Sequence, residues 1–133
     1  MIDCENEVFT KIAQALRSEF SEDINIASEY VKSPSAFPHV SVVMMDNSIM
    51  EQTMDSGDHE VSIVMFEINV FSNKAQGKKS ECKEIVCIVD ETLKPLNFKR
   101  LSLTPVPNME DASIYRLVAR YRVATDGTYF YRR

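Results

Sequence analysis

Ile114-Tyr115-Arg116-Leu117-Val118-Ala119-Arg120-Tyr121-Arg122-Val123-Ala124-Thr125 is the stretch on which the fold turns. Tyr115, Leu117, Ala119, Tyr121 and Val123 alternate there with Arg116, Val118, Arg120 and Arg122. A period of two belongs to a strand, whose successive side chains leave opposite faces. One face is therefore apolar and packs on a core, while the other carries three arginines. Asp126-Gly127 follows as a hairpin turn, and Thr128–Tyr131 returns the chain.

Upstream, Phe98–Val106 is another strand and His59–Phe71 is the longest. Val64, Phe66, Ile68 and Val70 line one face of it. Val61, Ile63 and Met65 make the start of the other face apolar too, so its beginning is expected to be covered on both sides. Ile24–Val31 and, after Pro34, Phe37–Asp46 are shorter candidates. Two stretches change period. Phe9, Ile12, Ala13, Leu16 and Phe20 share one face of a helix over residues 5–20, with Glu7, Lys11, Gln14 and Arg17 elsewhere on it. Cys82, Ile85, Val86, Val89 and Leu93 repeat that template; Asn73 and Gln76 are the expected capping pair and Pro95 ends the helix. The order of elements defines an α+β fold: two helices packed on one face of a mostly antiparallel twisted sheet, with a long β-hairpin. The arginines then belong to the opposite face.

A chain of 133 residues has the size of one domain, and area scaling has about two-thirds of its surface buried. Its 44% hydrophobic and 26% charged residues exclude wholesale disorder. There is no internal repeat or dividing linker, so residues 1–133 read as a single domain. No apolar run is long enough for a membrane-spanning helix, and Met1-Ile2-Asp3-Cys4-Glu5 lacks the basic and apolar regions of a signal peptide. Three cysteines cannot all pair with one another, which fits a reducing, cytoplasmic setting. The net charge of −5 is unevenly spread: residues 1–60 hold three Lys/Arg against twelve Asp/Glu, and residues 61–133 hold twelve against eight. So acidic a chain is a poor generic phosphate binder. An acidic half and a basic half do suit head-to-tail self-association.

Catalytic chemistry finds little support. His39 and His59 stand beside strand starts with no serine or cysteine motif attached. Cys82 and Cys87 point to different faces of a helix, which does not suit chelation. Gly77-Lys78-Lys79-Ser80 lacks the upstream glycine and the Ser/Thr after Gly-Lys that a phosphate-binding loop requires. Glu67, with Asn69 where a nuclease acid cluster expects lysine, is better read as pairing with Arg120 or Arg122 across the sheet. The expectation is no catalytic residue, no metal and no cofactor.

Two features point to partners instead. Asp46–Glu60 holds five acids and no Lys/Arg, with Met45, Met50 and Met54 in or beside it. Its connection of roughly twelve residues is long for a hairpin. Glu51, Asp55 and Asp58 keep it solvated while Ile49, Met50 and Met54 stay available to a partner surface, methionine being adaptable packing material. The second feature is the row Arg116, Arg120 and Arg122, a candidate subunit interface for acids of a neighbouring chain, against the plainer reading of a solvated face.

The run Phe98-Lys99-Arg100-Leu101-Ser102-Leu103-Thr104-Pro105-Val106-Pro107-Asn108, then Asp111, Ile114-Tyr115-Arg116 and Val118-Ala119-Arg120-Tyr121, follows an N-terminal helix, an acidic hairpin and a central helix. In this order the chain resembles the tail-terminator (tail-completion or minor capsid) proteins of long-tailed bacteriophages and prophages. The resemblance implies a non-enzymatic virion protein, made in the bacterial host cytoplasm. It would form a homo-oligomeric ring, a hexamer, on the head-proximal end of the tail tube. Its implied partners are the major tail-tube protein, the head-tail connector or neck protein, and genomic DNA passing without sequence-specific binding; no membrane is involved. The alternatives are another neck or head-closure component of the same particle and a small metal-dependent nuclease built around Glu67.

Overall fold

The computed structural model describes residues 1–50, 60–107 and 111–131. Its elements run α1 (Glu5–Glu19), β1 (Asn25–Ala27), β2 (His39–Ile49), β3 (Ser62–Ser72), α2 (Lys78–Leu93), β4 (Lys99–Pro107), β5 (Tyr115–Thr125) and β6 (Phe130–Tyr131). The strands form one sheet in the order β1-β2-β3-β5-β4, with β6 also paired to β5. Only β1 and β2 run parallel; β2 with β3, β3 with β5, and β5 with β4 and β6 are antiparallel. The expected α+β architecture is the one observed.

Both helices cover one face. Val8, Ile12 and Leu16 of α1 and Cys82, Ile85, Val86, Val89 and Leu93 of α2 form one core with Val40, Val42, Val64, Phe66, Ile68, Val70, Leu117, Ala119, Tyr121 and Val123. These are alternate residues of β2, β3 and β5, as the pleat requires. Burying a side chain such as Ile12 or Leu16, both at 0% exposure, contributes about 1.5–3 kcal/mol.

Helix ends follow local chemistry. At the start of α1, Asp3 Oδ1 accepts a hydrogen bond from the Glu5 N–H (3.0 Å), satisfying one of the donors a helix start leaves open. Asn73 and Gln76 do not cap α2. The helix begins beyond them, at an N-cap Gly77 with φ +84°, and that cap makes no side-chain hydrogen bond. Its first turn is tied down by Glu81, whose Oε1 accepts from Ser72 Oγ at 2.7 Å. After Leu93 a 3₁₀ turn containing Pro95 spans Lys94–Leu96, and Asn97 at φ +64° redirects the chain.

Two strand boundaries and one burial pattern differ from the sequence expectation. β1 holds three residues instead of eight, because the chain leaves the sheet after Ala27 and carries Tyr30 across the open face onto Arg116. β2 continues through Asp46–Ile49, which the sequence places in the hairpin connection. A bulge between Met44 and Asp46 lets those residues go on pairing with Ser62–Met65. Ile63 and Met65 are half-buried rather than covered on both sides.

Candidate interaction surfaces

The face of the sheet opposite the helices carries a ladder of polar side chains. Register places Phe71 opposite Arg116, Glu67 opposite Arg120 and Met65 opposite Arg122. Arg116 donates from Nε (3.0 Å) and Nη2 (2.7 Å) to Asn69 Oδ1. Asn69 Nδ2 in turn donates to Glu67 Oε1 (3.0 Å), and Arg120 Nε donates to Glu67 Oε2 (2.9 Å). Asn69 is fully buried, and Glu67 is nearly so. Burial alone would raise the Glu67 pKa. Hydrogen bonds from Asn69 and Arg120, with the positive fields of Arg120 and Arg116, outweigh it and hold the carboxyl below its ordinary value.

The three arginines therefore sit in different circumstances. Arg116 is half-buried, with its guanidinium 5.2 Å from the Tyr30 ring and 5.6 Å from the Phe71 ring, and it clamps the segment after β1 onto the sheet. Arg120 is exposed and bound to Glu67 on one side. Arg122 lies opposite Lys99 of β4, a cation facing a cation. Its Nε is closed off from solvent and has no hydrogen-bond partner among the described residues.

The second predicted surface begins where the described chain stops. Ile49, Ser62, Thr125 and Phe130 form one row across the sheet at the pole where the hairpin leaves. Ile49 and Met45 are both 52% exposed. Met50 is half-buried, and its N–H donates to Val61 O at 2.7 Å, extending the ladder one step past the last paired residues. Glu51, Met54, Asp55 and Asp58 lie outside the described residues. At the opposite pole, Pro105, Pro107, Ala112, Ile114 and Tyr115 border an apolar hollow of about 360 Å³.

Side chains with chemical potential have structural occupations. His39 is buried against the Phe71 ring (5.8 Å), its Nε2 shares a hydrogen bond with Ser41 Oγ (3.2 Å), and burial lowers its pKa. His59 lies outside the described residues. Burial pushes the Cys4 thiol up to about 11 and the Cys82 thiol up to about 12, whereas Cys87 is exposed. A groove of about 520 Å³ beside α2 and β4 contains Asp90, Arg100 and Tyr121. There Tyr121 donates to Asp90 Oδ1 at 2.7 Å, and burial together with that acceptor raises its pKa, so the phenol holds its proton. Both Glu67 oxygens are engaged by protein donors. Among the described residues no cluster of His, Cys, Asp and Glu is arranged to hold a metal ion. None of their helices is long and apolar enough to cross a membrane.

Tyr30 and Lys99 are participants that sequence reasoning passed over, and Asn69 was weighed only as a departure from a nuclease cluster. Asn69 did leave a signal: a polar residue two positions from Glu67 in a strand shares its face, as Arg116 and Arg120 share theirs. Tyr30 left none, because its contact depends on where the chain travels after β1.

No family model and no curated protein matches the sequence. The fold is similar to that of a chain in the virion of a native gene transfer agent particle, with a TM-score of 0.58 and 15% identity. The likeness covers 84% of this chain and 88% of that one.

Proposed function

We propose that the protein is a structural, non-enzymatic component of a phage-like particle. In this reading it forms a ring that closes the head-proximal end of a tail tube. The observation that carries the reading is the fold likeness to a virion chain over nearly the whole length of both proteins. The two poles of the sheet give the ring two different faces. The hairpin pole, with exposed Ile49 and Met45, would dock on tube protein through Ile49, Met50 and the segment holding Glu51, Met54, Asp55 and Asp58. The apolar hollow at Pro105 and Ile114 would face the neck or connector protein. The open face, with Arg116, Arg120 and Arg122, belongs near the boundary between subunits.

The test is the mass of the purified protein in solution, alone and with tail-tube protein. A species near six times 15.2 kDa, or one that forms on the tube and stops its growth, is the expected result. A chain that stays monomeric and ignores tube protein refutes the terminator reading and leaves a connector-side neck component. Deleting residues 51–56 separates docking from folding. The β2–β3 ladder is already paired at Ile49 and Ser62, so the fold should persist while tube capping is lost. Capping by the shortened protein would remove the hairpin from the contact.

A further inference from the structure

The sheet face opposite the helices is closed toward one pole and open toward the other. Ile63, Met65, Glu67, Asn69 and Phe71 alternate along that side of β3. In the rows that Phe71 and Asn69 share with their neighbours, His39, Ser41, Phe71, Asn69 and Val118 are all buried. Toward the hairpin pole the cover ends. Val43, Met65 and Ile63 are only half-buried there, and Met45, at the bulge, is 52% exposed.

One row crosses this uncovered part: Asp46, Met65, Arg122 and Lys99, on β2, β3, β5 and β4 in turn. Its ends differ in charge. Asp46 is exposed at one end. At the other, Arg122 and Lys99 stand directly opposite each other, and like charges so placed destabilise a strand pair. Neither cation makes an ion pair among the described residues, and Arg122 Nε is closed off from solvent without a hydrogen-bond partner. Arg120 and Arg100 are already held by Glu67 and Asp90, so the unmet charge is confined to Arg122 and Lys99.

The chemistry of an occupant follows. Neighbouring strands lie about 4.8 Å apart, which puts the middle of the cation pair about 7 Å from Met65. Alternate residues of an extended segment are separated by about the same distance. One short segment can therefore set an apolar side chain on Met65 and Ile63 and a carboxylate on the two cations. Asp46 fixes its direction, because like charge repels an acid from that end. A nucleic-acid duplex fits less well, since its phosphates would lie on Met65 and Ile63 and approach Asp46.

We infer that the uncovered half of this face docks an acidic segment of the tail-tube protein, apolar side chain over Met65 and Ile63, carboxylate between Lys99 and Arg122. The inference rests on the tube-docking reading above and names the chemistry that the tube supplies. The patch adjoins the row of Ile49 and Ser62 from which the hairpin leaves, so one partner can engage both. It takes Arg122 for the tube and leaves Arg116 and Arg120, already held within the chain, to the subunit boundary.

Co-sedimentation with assembled tail tubes tests it on the full-length chain as wild type, Lys99→Glu, Arg122→Gln and Met65→Gln, with circular dichroism checking each fold. Lys99→Glu, at an exposed position, should weaken binding about tenfold or more. Added salt should weaken wild type more than this variant. Arg122→Gln and Met65→Gln should also bind less, and if either fails to fold, Lys99→Glu carries the test. A carbodiimide, which joins an amine to a carboxylate, should couple Lys99 to an Asp or Glu of the tube protein, located by mass spectrometry. Charge variants that bind tubes like wild type overturn the docking surface and leave the capping reading standing. Coupling of Lys99 to an acid of a second copy, or a loss of duplex binding with tube binding intact, overturns it equally. Wild type that ignores tubes overturns the capping reading and this surface together.

Discussion

Glu67→Gln weighs the polar ladder with almost no change in shape. Wild-type Glu67 accepts from Asn69 Nδ2 at 3.0 Å and from Arg120 Nε at 2.9 Å, so the new amide must turn its own N–H₂ toward one of these donors. A hydrogen bond to a charged group contributes about 1.5–3 kcal/mol. The Arg120 side chain is 53% exposed, and water takes up part of what it loses, which places the cost at about 1–2 kcal/mol. At about 2.1 cal/mol/K of unfolding entropy per residue, a chain of 133 residues loses about 3.6 °C of Tm per kcal/mol. Thermal melts followed by circular dichroism at pH 7 should therefore fall by about 4–7 °C. The pH dependence adds a second constraint. The folded-state pKa of Glu67 is depressed, since the donors and the arginine fields outweigh the opposing effect of burial. A carboxylate of this kind contributes fully above its unfolded pKa of about 4.3 and loses the contribution as pH falls through its folded value. The gap between wild type and variant should thus close below about pH 4. Equal Tm values at pH 7, or a gap that persists unchanged in acid, would refute the ladder as a stabilising device.

Other expectations can be checked with little material. Iodoacetamide at pH 8 should label Cys87 quickly in the native protein, while Cys4 and Cys82, buried and with raised pKa values, react only after denaturation; mass spectrometry counts the adducts. Tyr121→Phe removes the 2.7 Å donor to Asp90 and should cost about 1 kcal/mol, read from urea midpoints. Phe66→Ala at a fully buried position should cost about 3–5 kcal/mol by the same measurement. Burial depresses the folded-state pKa of His39, so the unfolded chain takes up the proton more readily and stability falls as pH drops below about 6.5. His39→Asn should flatten that slope between pH 7.5 and 5.5; an unchanged slope would assign it to other groups.

Elements whose pattern repeats were readable from sequence. The alternation in β5 and the 3.6 spacing in both helices arise from one apolar face meeting one core, a constraint that acts at every turn of the element. Single-residue geometry was not readable. The bulge after Met44 inserts one residue, and the polar run Asp46, Asn47 and Ser48 then looks like a loop although it pairs with Ser62–Met65. Gly77 starts α2 through its left-handed backbone, so the more usual capping residues Asn73 and Gln76 misdirect a reader who looks for side-chain caps. β1 is too short to show a period. The arginine row of β5 was legible as a face, because alternation sets which side chains share a side. How it is used was not, because Arg116 meets Asn69 and Tyr30 only once β3 and the segment after β1 are placed beside it. Lys99 gained its meaning in the same way, from a register that only strand order provides.

The hairpin pole gathers more than the hairpin. Ile2 O accepts a 2.7 Å hydrogen bond from Asn47 Nδ2, Ile2 also borders Gly127 in the β5–β6 turn, and Tyr131 pairs with Ala124 there. A fluorophore attached at Ile2 or Tyr131 would thus stand at the same pole as Ile49 and crowd whatever approaches it. A tagged protein that fails to engage tube protein would then report on the tag. Reporters for binding experiments belong on α2 instead, where the Cys87 thiol already offers an exposed attachment point.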